Sequence, residues 1–339
     1  MRLRSSQYLA FVGLVPPILF VCASAQGAPR ESGFAPPHSS DFIYSPDGKS
    51  IAAIHVDANS FPKDVLIWDV RTQAIRHTIT LPHHNEPAQV VYSRDSRLLA
   101  ISVSSVFDSE VELYDARTAT RIRAIASPSL GEITSLNFSP NGKVLAIAAF
   151  TETEKASGKD RVSLWRVSTG KSGVILGDDQ HGIVSAPAFS PDGKTLATLD
   201  GEGAISFRNV RNWRIRSSIA LHSVSPNTGY HQQCMTFSKN GERLLISGDR
   251  VSVYNVRTHR LLWEQMPPDG YTEDYLAAFS PNGDTVAYSK RGEKSLRICE
   301  SQTGKVLREI QISDSTLHSP IFSPNGKWMT ASGLPVKLP

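Results

Sequence analysis

The sequence predicts an all-β chain, a β-propeller of seven repeat units with an incomplete last blade. Three observations carry this. A turn phrase, at its clearest Phe189-Ser-Pro-Asp-Gly-Lys194, returns seven times at intervals of 42 to 51 residues. A second phrase follows in six of the copies, an apolar run ending in a large residue and a polar one, as in Val65-Leu-Ile-Trp-Asp-Val70. Helix signals are sparse, and 23 Gly and 21 Pro punctuate short runs of Val, Ile, Leu and Phe.

Residues 1–25 stand apart from the repeats. Arg2 and Arg4 give a positive start, an apolar run extends from Tyr8 to Ala23, and Ala23-Ser-Ala25 supplies the small residues of a cleavage site. This is the pattern of a secretory signal peptide. The run is broken by Pro16-Pro17 and is short of the ~20 residues that span a bilayer, so no membrane span is expected after cleavage. The expected location is outside the cytoplasm, periplasmic or extracellular. A Pro-rich segment, residues 26–40, leads into the repeat region, residues 41–339.

The turn phrase begins at Tyr44, Tyr92, Phe138, Phe189, Phe237, Phe279 and Phe322. The aromatic closes one strand and points to a core. Pro presets φ for a tight turn, and Asp or Asn followed by Gly accepts the left-handed conformations that reverse the chain. An apolar run such as Val144-Leu-Ala-Ile-Ala148 completes a hairpin. The second phrase supplies a third strand, and a polar turn leads to a fourth, such as Ala74-Ile-Arg-His-Thr-Ile79. A four-stranded sheet of this size cannot cover both its faces, and stacking such sheets around an axis does so.

The Ser-Pro-Asp-Gly turn together with "LIWDV", "LYDA" and "LWRV" resembles the WD40-repeat family over roughly residues 40–333. The resemblance implies a propeller and, for function, a platform that binds other proteins or peptides. The pattern is not kept throughout. The Trp position reads Trp68, Tyr114, Trp165, Arg208, Tyr254 and Cys299, and the Asp position reads Asp69, Asp115, Arg166, Asn209, Asn255 and Glu300. The buried hydrogen-bond set that the resemblance implies cannot be assembled completely in any unit. The seventh unit provides two strands, so the expectation is a truncated product, a ring that closes imperfectly, or an open edge that could pair with another chain. Cys22 falls in the leader, and Cys234 and Cys299 are expected as buried free thiols.

Composition excludes several functions. The net charge of +4 falls to +2 without Arg2 and Arg4, too mild and too evenly spread along the chain to argue for nucleic acid. Nucleophile elbows and phosphate loops are absent, and no cofactor is expected. His83-His84-Asn85-Glu86 and Asp178-Asp179-Gln180-His181 carry metal-capable groups but read as polar loops between units. Thr151–Asp160 reads as a solvated loop.

Loop length separates the two faces. Turns after the first and third strands are short. Loops after the second and fourth are long and irregular, namely His55–Asp64, Ser104–Glu110, Thr151–Asp160, His222–Gln232 and Met266–Tyr275. Variable loops on a rigid scaffold are where binding concentrates. Phe61, Phe107, Tyr230, Tyr271 and Tyr275 are therefore the expected anchors for a partner, with His83, His84 and His181 beside them. The expected function is a non-enzymatic exported scaffold. Two alternatives are an enzyme similar to lactonase or quinoprotein propellers, with a metal or cofactor in the central channel, and a periplasmic propeller resembling the TolB-like family.

Overall fold

The computed structural model describes residues 39–57, 62–81, 86–104, 109–126, 132–153, 156–177, 187–200, 203–221, 234–266, 274–312, 320–331 and 334–338. Every regular element among them is a strand, and no helix is long and apolar enough to cross a membrane.

Six four-stranded antiparallel sheets correspond to the first six repeat units, each with its strands side by side in chain order. Blade 1 runs from Ser39 to Thr80, blade 2 from Glu86 to Ala126 and blade 3 from Glu132 to Leu176. Blade 4 runs from Ala188 to Ala220, blade 5 from Cys234 to Gln265 and blade 6 from Tyr275 to Gln311. The complete blades are thus six. The seventh unit forms a three-stranded sheet of Ile321–Phe322, Trp328–Ala331 and Leu334–Lys337. The expectation of two strands there is corrected, because Leu334–Lys337 pairs with the second strand in the register Trp328↔Lys337 and Met329↔Val336.

The core lies between blades, not within them. In blade 1's second strand, Ile51 and Ala53 join a cluster with Phe42, Trp68 and Ile321 of the seventh sheet. Their neighbours Ala52 and Ile54 face the other way, into a cluster with Val90, Leu99 and Ile101 of blade 2. This is period-two alternation with both faces buried. Corresponding clusters join blades 2 and 3, 3 and 4, 4 and 5, and 5 and 6. Another joins blade 6 to the seventh sheet through Phe322 and Met329. With Ile321 on blade 1, the interfaces form a closed ring. The aromatic that opens each turn phrase is buried in all seven units.

The turn phrase makes the same hydrogen-bond set seven times. The serine hydroxyl donates to Oδ1 of the Asp or Asn two residues on, at 2.6–2.9 Å. It accepts from the backbone N–H five residues on, at 2.9–3.0 Å. Oδ1 also accepts the N–H two residues further, as from Lys194 to Asp192 at 3.0 Å. The residue between has positive φ, such as +68° at Gly193, and Ser96 takes this conformation in blade 2.

A second turn, joining the third and fourth strands, leans on the neighbouring blade. In blade 5, His259 stacks on Phe207 of blade 4 at 5.4 Å, and its Nε2 lies 3.2 Å from Ser217 Oγ. Trp213 of blade 4 packs against the cluster between blades 3 and 4. The carbonyl of Arg117 in blade 2 lies 2.9 Å from His77 Nε2 of blade 1. Gln73, Ala119, Gly170, Trp213, His259 and Gly304 occupy the same place in this turn, all at φ between 56° and 70°.

Thr151–Asp160 is not an open loop. The second strand of blade 3 continues to Thr153 and the third begins at Ala156, paired Thr151↔Lys159 and Thr153↔Ala156. Alternating Thr and Glu continue the strand pattern, which is why a solvated reading of the charges missed the hairpin. Cys299 is a buried free thiol, as expected. Cys234 is buried on the first strand of blade 5.

Candidate interaction surface

Three places could host a partner: the channel on the axis, the face of the short turns and the face of the longer loops. The channel is lined by first-strand residues of blades 1–5, among them Ile43, Val91, Leu136 and Met235. Its cavity is about 90 Å3, room for a handful of waters. Arg94 stands where five other units have Pro, and its Nη1 donates to the carbonyl of Pro191, two blades away, at 2.6 Å. Tyr92 beside it has a buried hydroxyl with no hydrogen-bond partner among the described residues.

Side chains of the second phrase satisfy one another within single blades. Trp165 Nε1 donates to Ser163 Oγ at 2.8 Å. In blade 2, Tyr114 donates to Glu112, whose other oxygen accepts from Arg121 Nε at 2.7 Å. Burial and the Glu112 carboxylate both push the Tyr114 phenol up, so the hydroxyl stays protonated and a donor. Glu112 is therefore fully engaged in holding its blade. No group of three or more metal-capable side chains comes together among the described residues.

The short-turn face is built from side-chain acceptors that point inward. Asp69 Oδ1 accepts the N–H groups of Arg71 and Thr72 at 2.9 and 3.0 Å. Asp115 does the same for Arg117 and Thr118 at 3.0 and 2.9 Å. The Thr72 N–H holds the Asp69 carboxyl below its ordinary value, and the Thr118 N–H does so for Asp115. Asn255 Oδ1 makes the same two bonds in blade 5 without a charge. Where the cap is present, Asp and Asn make the same two bonds, so the exchange changes the surface potential and not the turn.

Of the expected anchors, Phe61, Phe107, Tyr230, Tyr271, His83, His84 and His181 lie outside the described residues. Tyr275 is described, and its assignment as a loop anchor is corrected. It opens the first strand of blade 6, is 3% exposed, and packs its ring 6.5 Å from that of Tyr288. Its N–H donates to the carbonyl of Gly248 at 2.7 Å, which draws the residue into the sheet. Sequence reading missed the exposed aliphatics Ile75, Ile122, Ile215, Leu261, Val306 and Leu307, all on fourth strands. Strict alternation on an outer strand would have signalled them.

Comparison with known proteins agrees with this architecture. No family profile matches the chain. An uncharacterized WD repeat-containing protein of Synechocystis is 26% identical over 148 residues, 43% of this chain and 40% of that protein. Pre-mRNA-processing factor 19 of Oryza sativa is 28% identical over 209 residues, 60% of this chain and 36% of that protein. The chain thus spans about two fifths or less of the length of these relatives. Among solved structures, the β-propeller domain of Cps50 (Swd1) from Myceliophteria thermophila superposes with a TM-score of 0.71 at 18% identity, covering 90% of this chain and 96% of that one. The repeats and the ring define a β-propeller protein built of short homologous sheets. In this repeat architecture the chain is similar to WD repeat-containing proteins.

Proposed function

We propose that the chain is an exported, non-enzymatic scaffold that holds partner proteins on its long-loop face. One observation supports this above others. The short-turn face repeats one hydrogen-bonded turn seven times, whereas the segments on the opposite face differ in length from unit to unit. A rigid ring with one repetitive and one variable face suits recognition by the variable one. WD-repeat proteins generally bind other proteins, and the buried Glu112 carboxylate has its bonds committed to Tyr114 and Arg121 of its own blade. The leader-like residues 1–25 support export.

Two measurements test the reading. Co-purification with the wild-type chain is compared with a Phe61→Ala, Phe107→Ala, Tyr271→Ala triple variant. At least about tenfold lower recovery of a specific partner is expected from loss of aromatic anchors. Equal recovery removes the long-loop proposal. N-terminal sequencing of protein from the extracytoplasmic fraction is expected to begin at Gln26. Turnover in an ester or lactone screen, together with a stoichiometric tightly held metal, would favour the enzyme alternative.

A further inference from the structure

The short-turn face has a charge pattern that the fold does not require. The seven Ser-x-Asx turns and six outer turns together contain sixteen Lys or Arg and eight Asp or Glu, an excess of eight positive charges. The whole chain carries +4, so everything else is net negative by four. All sixteen cations are exposed.

The excess is concentrated. In the outer turns of blades 1 and 2, Arg71 and Arg117 sit beside the capping carboxylates of Asp69 and Asp115. In blades 4 and 5 the cap is Asn209 or Asn255, and in blade 3 the position is Arg166. Three consecutive outer turns therefore carry Arg166, Lys171, Arg211, Arg214, Arg257 and Arg260 with no carboxylate among them. None of these six side chains forms an ion pair among the described residues. The turns are held together, since Trp213 packs toward blade 3 and His259 stacks on Phe207 of blade 4.

Exposed aliphatics border these cations. Ile215 follows Arg214 directly and Leu261 follows Arg260, and each is about half exposed. Val174 and Ile175 hold the same edge in blade 3. Cations alone would suit any polyanion. Cations alternating with Ile and Leu on a rigid surface suit an acidic polypeptide that also offers apolar side chains, because burying aliphatic area adds affinity that phosphates cannot supply.

We propose that the outer turns of blades 3, 4 and 5 form a docking surface for an acidic, aliphatic-containing segment of a partner protein. This surface lies on the opposite face from the long loops and does not depend on them.

The test uses the full chain and a fluorescein-labelled peptide of repeated Glu-Glu-Leu, followed by anisotropy. Saturable binding that weakens as salt is raised is expected. Arg211→Glu with Arg257→Glu should weaken it at least about tenfold, equivalent to the loss of two charge contacts. Arg71→Glu with Arg117→Glu, in blades 1 and 2, should have little effect. Ile215→Ser with Leu261→Ser should weaken binding about threefold or more at unchanged salt dependence. Thermal melts confirm that each variant is folded. The proposal is overturned if the peptide does not bind, or if the blade 1 and 2 pair matters as much as the blade 4 and 5 pair. It is also overturned if oligothymidylate or phosphatidylglycerol vesicles bind with equal affinity and without dependence on Ile215 and Leu261.

Discussion

Cys299 occupies the place of a tryptophan in blade 6 and is sealed in the cluster between blades 5 and 6. Burial pushes its thiol from an ordinary 9.0 up to about 12, and its S–H donates to the Val286 carbonyl at 3.4 Å. A thiol kept protonated is a poor nucleophile. Ellman's reagent is expected to leave it untouched in the folded protein at about pH 8 and to react once the chain is unfolded. The sign of the linkage follows. The unfolded chain releases the thiol proton near pH 9 while the folded one keeps it, so this contribution to stability is whole below about 9 and declines as pH rises toward 12. Urea titrations from neutral to alkaline pH should show a shallower alkaline decline in Cys299→Val. At this scale the sequence was informative where a residue's role follows from its place in a repeated phrase, as for Cys299 and the seven aromatics. It misled at Tyr275, because an aromatic next to a loop can equally open a strand.

The turn is the element that makes the repeat recognisable. Its Ser, Asx and Gly were legible because each performs one task that few other residues perform. The outer turn was less legible, since its left-handed position holds Gln73, Ala119, Trp213 and His259 as well as Gly170 and Gly304. What fixes that position is contact with the preceding blade, which sequence does not display. Gly304 shows the constraint most sharply. A Cβ there would stand 2.8 Å from Trp263 Cγ and Cδ2, with φ at +70°. Trp263 cannot easily retreat, because its Nε1 donates to the Ser301 carbonyl at 3.0 Å. Gly304→Ala is expected to cost about 2 kcal/mol or more in urea unfolding, compared with about 1 kcal/mol at Gly193, where φ is similar but the nearest atom is 3.8 Å away. The outer strands carry a recurring register shift opposite the Trp position, as between Ile67 and Trp68 and between Val253 and Tyr254. Such bulges disturb an edge that would otherwise offer a regular template for pairing.

For the whole molecule, the repeats gave the propeller, of which six blades are complete, while the third strand of the last sheet escaped notice because Leu334–Lys337 contains Pro335 and lacks any copy of the second phrase. The ring depends on how well that sheet bridges its neighbours. Ile321 is buried against blade 1 and Phe322 against blade 6. Ile321→Ala should therefore cost about 2–4 kcal/mol, as much as Leu196→Ala within the ring. A cost near zero in equilibrium unfolding would mean that the two ends of the array do not bear on each other. The charge asymmetry between the faces was invisible in the chain-wide total, because folding sorts residues that alternate along the sequence. Arg94 adds a property of another kind. A stack in which each unit feels only those beside it can loosen one unit at a time, yet this guanidinium skips a unit and fastens the second to the fourth. Fluctuations that begin at one of them therefore arrive at the other by a shortcut across the opening, and hydrogen exchange in Thr195–Leu199 should quicken when Arg94 is replaced by alanine.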